Sequence, residues 1–118
     1  MLVIEDDSAI SALLSHLMER EGYEVKIMLD GLEAQEYILS TNNRPSFVLL
    51  EMMLPSVSGF DLIELIRNNK AWAATPIIVL SSLTQEHEIV RALKAGANEY
   101  LTKPFRVNEL VARINRLS

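Results

Sequence analysis

The chain has no cysteine among its 118 residues, which excludes a disulfide framework and any thiolate metal site. It is also short of positive charge: 11 lysines and arginines stand against 16 aspartates and glutamates, a formal net charge of -5. That balance argues against the chain itself gripping nucleic-acid phosphates, because such binding is driven by Lys and Arg releasing counterions. Any contact with DNA would have to come through a separate domain. Long apolar runs are missing too. Phe47 to Leu50 and Ile77 to Leu80 are among the longest, far too short to cross the hydrocarbon core of a bilayer, so a cytoplasmic protein with no membrane partner is expected. No repeat or low-complexity linker interrupts the chain.

What remains is 49% hydrophobic and 23% charged, the composition of one globular domain with a real core. Met1 falls on the first apolar run and Leu117 closes the last helical pattern. One domain over residues 1–118, cut from a longer chain, is therefore the expectation.

Two kinds of segment alternate. Short continuous apolar runs, LVI at 2–4, FVLL at 47–50 and IIVL at 77–80, have the pattern of strands buried on both faces of a parallel sheet. EVKIM at 24–28 and EYLT at 99–102 are weaker and predict edge or half-exposed strands. Between them lie amphipathic stretches. Ile10, Leu13, Leu14, Leu17 and Met18 recur at helical spacing and stop at Gly22. Asp30 with Glu33 forms a capping-box pattern ahead of Ala34, Tyr37 and Ile38. Phe60, Ile63 and Ile66 mark a third helix, Ile89, Val90 and Leu93 a fourth, and Val107, Leu110, Val111, Ile114 and Leu117 a fifth. Five β and five α segments in strict alternation predict right-handed βαβ units and a doubly wound sheet.

In such sheets chemistry gathers beyond the carboxyl ends of the strands, where strand order reverses. The first strand ends in Glu5, Asp6 and Asp7, the third in Glu51, the fourth in Ser81 and Ser82, and the fifth in Thr102, Lys103 and Pro104. Acids, a hydroxyl and a lysine are thus expected on one rim. Crowded carboxylates raise one another's pKa unless a cation offsets them. Asp6, Glu51 and a loop carbonyl offer oxygens of the kind Mg²⁺ takes, while Lys103 and Ser81 offer partners for a phosphoryl oxygen. Asp7 or Ser8 also suits a helix cap. His16 lies opposite the apolar stripe of its helix and His87 in an acidic first turn, so neither has a partner for metal or relay chemistry. Trp72 is expected to plug a loop onto the body of the domain.

The acid pair in VIEDD, the E-x-x-x-P-x-x-x-G pattern at 51, 55 and 59, the hydroxyl in IIVLSS and the closing YLTKPF resemble the receiver domain of bacterial two-component response regulators. The resemblance covers essentially the whole chain. It implies a flavodoxin-like (βα)5 fold with strand order 2-1-3-4-5, a C-terminal output domain in the longer chain, Mg²⁺ as cofactor, and phosphoryl transfer from a histidine kinase or another signalling protein. It implies a switch in phosphorelay signalling rather than an enzyme. By position, Glu5 and Asp6 match the acidic pair, Glu51 the phosphoacceptor, Met53 the residue whose carbonyl binds the metal, Ser81 the switch hydroxyl, Tyr100 the switch aromatic and Lys103 the lysine, with a cis bond expected before Pro104.

One position departs from the family pattern: the phosphoacceptor there is aspartate, and here it is Glu51. The extra methylene pushes the carboxylate outward by about 1.5 Å. In-line transfer depends on position, so phosphorylation is expected to be impaired, mimicked or bypassed. The final third, VRALKAGANEYLTKPFRVNELVARI, resembles receivers linked to winged-helix DNA-binding domains. In these, the fourth helix, fifth strand and fifth helix form a homodimer face held by salt bridges, for which Arg91, Glu99, Glu109 and Arg113 stand at matching positions. Solvated surface charge is the plainer reading of those four. The alternative function is a degenerate receiver acting only as a dimerisation or docking module. An aspartate-nucleophile phosphohydrolase would need an Asp-x-Asp motif after the first strand, which VIEDDSAI lacks.

Overall fold

The computed structural model describes all residues, 1–118. Ten elements alternate: β1 (Leu2–Ile4), α1 (Ser8–Arg20), β2 (Lys26–Met28), α2 (Gly31–Ser40), β3 (Val48–Leu50), α3 (Gly59–Asn68), β4 (Ile77–Ser81), α4 (Glu86–Ala95), β5 (Glu99–Thr102) and α5 (Val107–Leu117). The strands form one parallel sheet in the order β2-β1-β3-β4-β5, a doubly wound sheet as the alternation predicts, in the flavodoxin-like order that the resemblance implies. No helix is long and apolar enough to cross a membrane.

The apolar runs are continuous because the sheet has a core on each side. Alternate strand residues point to opposite faces. Leu2, Ile4, Val48, Leu50, Ile77 and Val79 join the core under α2, α3 and α4. Val3, Leu49, Ile78 and Leu80 join the other, with Leu14 and Met18 of α1 and Leu110 and Ile114 of α5. At β2, which has one neighbour only, Lys26 and Ile27 are exposed. Trp72 is fully buried, edge-on to Tyr37, and its indole N–H donates to the carbonyl of Thr41 at 3.0 Å.

Local signals act as expected, with two adjustments. Gly22 takes a φ of 94° directly after the C-cap of α1, where a side chain would be strained. The capping box of α2 is only half formed. Asp30 accepts from the Leu32 amide at 2.8 Å, whereas no Glu33 side-chain bond returns to Asp30. β4 runs one residue further than its apolar core, so Ser81 is held in register opposite Thr102. The Lys103-Pro104 bond is cis.

Two long-range anchors position the helices over the sheet. Gly31 packs so closely on the loop before α3 that a Cβ there would run into the carbonyl of Val57. Arg67, on α3, donates to the carbonyls of Gly96 (3.0 and 2.8 Å), Thr75 (2.7 Å) and Ala73 (3.0 Å) and to Asn98 Oδ1 (3.0 Å). It thereby binds the C-terminus of α4 to the body. Replacing Gly31 by alanine is expected to cost about 1–3 kcal/mol through overpacking against backbone that cannot move aside. Gly22→Ala, facing open space, should lose only about 1 kcal/mol from its backbone conformation. Urea unfolding of both variants distinguishes a steric cost from a conformational one.

Candidate functional site

Parallel strands deliver their carboxyl ends to one rim, and there Glu51 meets Ser81 and Lys103. Glu51 is 4% exposed. Its Oε1 accepts from the backbone amides of Met52 (2.7 Å) and Met53 (3.0 Å) and from the Ser81 hydroxyl (2.5 Å). Its Oε2 accepts from Lys103 Nζ at 2.7 Å. The longer side chain therefore does two things at once, bonding to the amides of its own loop and reaching across the strand ends of β4 and β5. Gly59 permits the loop to close, since a Cβ there would come within 2.6 Å of the Met52 Cα.

Lys103 bridges two carboxylates. It also donates to Glu5 Oε1, whose partner oxygen accepts from the Asp7 amide at 3.2 Å. Burial pushes the Glu5 carboxyl above its ordinary pKa, and the bond from Lys103 only partly opposes this. For Lys103 burial pulls the pKa down, but the bonds to Glu5 and Glu51 outweigh it and hold the ammonium above its usual value. Lys103 is accordingly a permanent cation in the working pH range.

From this pocket a short relay leads outward. The Leu83 amide donates to the Ser81 hydroxyl at 3.1 Å, and the Tyr100 hydroxyl donates to the Leu83 carbonyl at 2.8 Å. Burial raises the Tyr100 phenol's pKa, which keeps it a donor. The loop between β4 and α4 is thus tied to Glu51 on one side and to β5 on the other. Leu83 escapes sequence reading because both of its contacts are made by backbone.

Of the three acids after β1, Glu5 and Asp6 keep their side chains close to one another, while Asp7 turns away. Glu5 faces Lys103, Asp6 is exposed, and Asp7 caps α1 by accepting from the amides of Ala9 (2.9 Å) and Ile10 (3.1 Å). Met53 lies open at the rim, its thioether 3.8 Å from the Ser82 hydroxyl. No three acidic or imidazole side chains gather as metal ligands. The fit to Mg²⁺ is accordingly poor: Glu51 is occupied by four donors and Glu5 by Lys103, so Asp6 is the one carboxylate left open to solvent.

Of the four charges expected on a dimer face, three are linked within the chain and Arg91 stands apart. Arg113 pairs within the chain with Glu99 (3.3 Å) and Glu109 (3.4 Å), and Arg116, which the sequence pattern did not single out, also pairs with Glu99. Arg91 pairs with no acid; its guanidinium stacks on the Phe60 ring at 3.9 Å.

Removing Lys103 would leave two nearly buried carboxylates unpaired. Lys103→Met is expected to destabilise the fold by about 3–5 kcal/mol near neutral pH. Ser81→Ala, which strips a hydrogen bond from Glu51 and one from Leu83, should cost about 1–3 kcal/mol. Urea midpoints for the two variants rank the contributions.

Comparison with known proteins agrees with this geometry. The family model of the response regulator receiver domain matches residues 1–115. The chain is 38% identical over 117 residues to the DNA-binding dual master transcriptional regulator RpaA of Synechocystis sp., covering 99% of this chain and 48% of that protein. It is 40% identical over 115 residues to the phosphate regulon transcriptional regulatory protein PhoB of Rhizobium meliloti, covering 98% and 50%. The chain thus spans about half the length of these curated relatives. Among solved structures, the receiver domain of Francisella response regulator 1452 superposes with a TM-score of 0.86 at 33% identity, covering 98% of this chain and 93% of that one. The receiver domain of the sensor histidine kinase PA1611 from Pseudomonas aeruginosa, with a magnesium ion in its active-site cleft, gives 0.86 at 27% identity over the same shares.

Proposed function

The chain belongs to the response regulator receiver domain family, and from that premise we propose that it signals through a switch in which the Glu51 carboxylate stands in for a phosphoryl group. The carrying observation is that one carboxylate reaches both Ser81 and Lys103, at 2.5 and 2.7 Å. An aspartate, shorter by about 1.5 Å, would hold its oxygens that much further back from Ser81. Glu51 supplies the span itself.

The same engagement supports the reading that phosphorylation is impaired. A carboxylate attacks phosphorus with a free oxygen held in line, and both oxygens of Glu51 are accepting hydrogen bonds. Mg²⁺ binding is weakened for the same reason, with Asp6 and the Met53 carbonyl left as the open donors. The imitation is partial, since a carboxylate carries a charge of about -1 where a phosphoryl group carries roughly -1.5 to -2.

The relay through Ser81, Leu83 and Tyr100 then sets the surface of α4, β5 and α5 with no phosphoryl group bound. That surface is the one through which a second copy, a histidine kinase or another signalling protein would read the state. In this reading DNA is contacted only by a separate output domain of the winged-helix kind. For a dimer through this face, Glu99, Glu109 and Arg113 would exchange some of their internal pairs for pairs across the interface.

The test supplies Mg²⁺ with acetyl phosphate, and separately beryllofluoride, to the chain and to its Glu51→Asp and Glu51→Gln variants, following intact mass, association and the Tyr100 ring resonances. The chain is expected to gain no phosphoryl mass, E51D to gain one group, and E51Q to lose the Tyr100 environment of the parent. Phosphorylation of Glu51 itself, or a Tyr100 environment identical in the parent and E51Q, would sink the stand-in role. If E51D also stays inert and no variant changes association, the chain is a docking module instead.

A further inference from the structure

The signalling site makes no use of the cleft between α2 and α3, although the two helices are pinned at both ends. At one end Gly31 abuts the Val57 carbonyl. At the other, the Asn69 side-chain amide donates to the Ile38 carbonyl at 3.2 Å and the Trp72 indole to the Thr41 carbonyl at 3.0 Å. Between these anchors Gln35, Val57, Asp61 and Leu65 line a cleft of about 240 Å³. That is smaller than the roughly 300–1,000 Å³ of small-molecule pockets, and suits an anchoring side chain better than a cofactor.

Its borders combine apolar surface with charge of one sign. Leu32 and Leu39 lie three residues before and four after Gln35, on the same side of α2. They are 46% and 62% exposed, and Leu39 is the most exposed large apolar side chain of the chain. Glu33 and Glu36 on α2, and Asp61 and Glu64 on α3, are exposed and enter no ion pair. The one base on either helix, Arg67, is turned onto the carbonyls of Gly96, Ala73 and Thr75. Each acidic pair is spaced i,i+3, where like charges repel. The first-turn positions of Glu33 and Asp61 suit the helix dipole, but no basic side chain pairs with any of the four.

We propose that the cleft between α2 and α3 docks a cationic amphipathic helix of a partner protein. Its apolar stripe would cover Leu32, Leu39, Val57 and Leu65, while its lysines or arginines meet Glu36 and Asp61. Nucleic acid and anionic lipid are repelled by the same carboxylates. A second copy offers no such helix: the cationic α5 has its apolar stripe, Leu110 and Ile114, buried in its own core. This surface touches the loop that leaves Glu51 only at Val57, and the proposal does not rest on the stand-in role of that carboxylate.

The probe is a synthetic peptide of leucine and lysine at helical spacing, titrated into the chain and followed by backbone amide resonances. The controls are a scrambled peptide of identical composition and one with glutamate for lysine. Perturbations should centre on Leu32, Gln35, Leu39, Asp61 and Leu65, weaken as salt rises, and be absent with the glutamate peptide. Glu36→Lys and Leu39→Ser change exposed side chains only and should each reduce affinity about tenfold. The proposal is overturned if the scrambled peptide binds as tightly, if perturbations centre on α4, α5 or the Glu51 rim, or if both variants bind unchanged.

Discussion

Lys103 is the point on which the arrangement of this domain turns. It comes from the end of β5 and meets carboxylates delivered by β1 and β3, so one ammonium joins three strand ends that are far apart in sequence. Two carboxylates held close together out of water are unfavourable unless a cation offsets them. Once Lys103 is in place, Glu51 has an oxygen left for Ser81 and for the amides of its own loop. The pocket, the loop around Pro55 and Gly59, and the tether on Leu83 all follow from that three-way contact.

A buried ionic knot of this kind is a poor source of stability, since desolvation takes back most of what Coulomb attraction supplies. What it contributes is a specific arrangement of strand ends. The two apolar cores hold the layers together, and the polar groups at one rim decide how the ends meet. This division explains how Glu51, with its extra methylene, rearranges contacts at the rim while the fold of the family stays intact.

Much of this was legible in the sequence because it depends on local pattern. Continuous apolar runs alternating with amphipathic stretches specify strands buried on both faces and helices that cover them, and the rule for strand ends then groups Glu51, Ser81 and Lys103 without coordinates. Contacts between backbone and distant side chains were not legible. Gly31 looks like an ordinary helix start until Val57 is placed against it, and Arg67 like an ordinary last-turn base until Gly96, Thr75 and Asn98 surround it. The spacing of Asp30 and Glu33 fits a capping box, yet pattern alone does not say whether the second bond forms. Charge alone places Arg91 with the acids near it in sequence, and only the structure shows its flat guanidinium lying on the Phe60 ring. Glu51 accepting from its own loop amides was also beyond the sequence, because it depends on how the extra methylene folds back.

The two ends of α4 are held very differently. At the C-terminal end Gly96 is gripped by Arg67, while at the other Gln85 caps the helix with no side-chain bond. A rod held at one end behaves as a lever. Ten residues at 1.5 Å each make an arm of about 15 Å, so a tilt of about 10° would carry the Glu86 end about 2.6 Å while Gly96 stays almost still. Displacements in the loop at Leu83 are therefore carried into the beginning of the helix and die away toward its end.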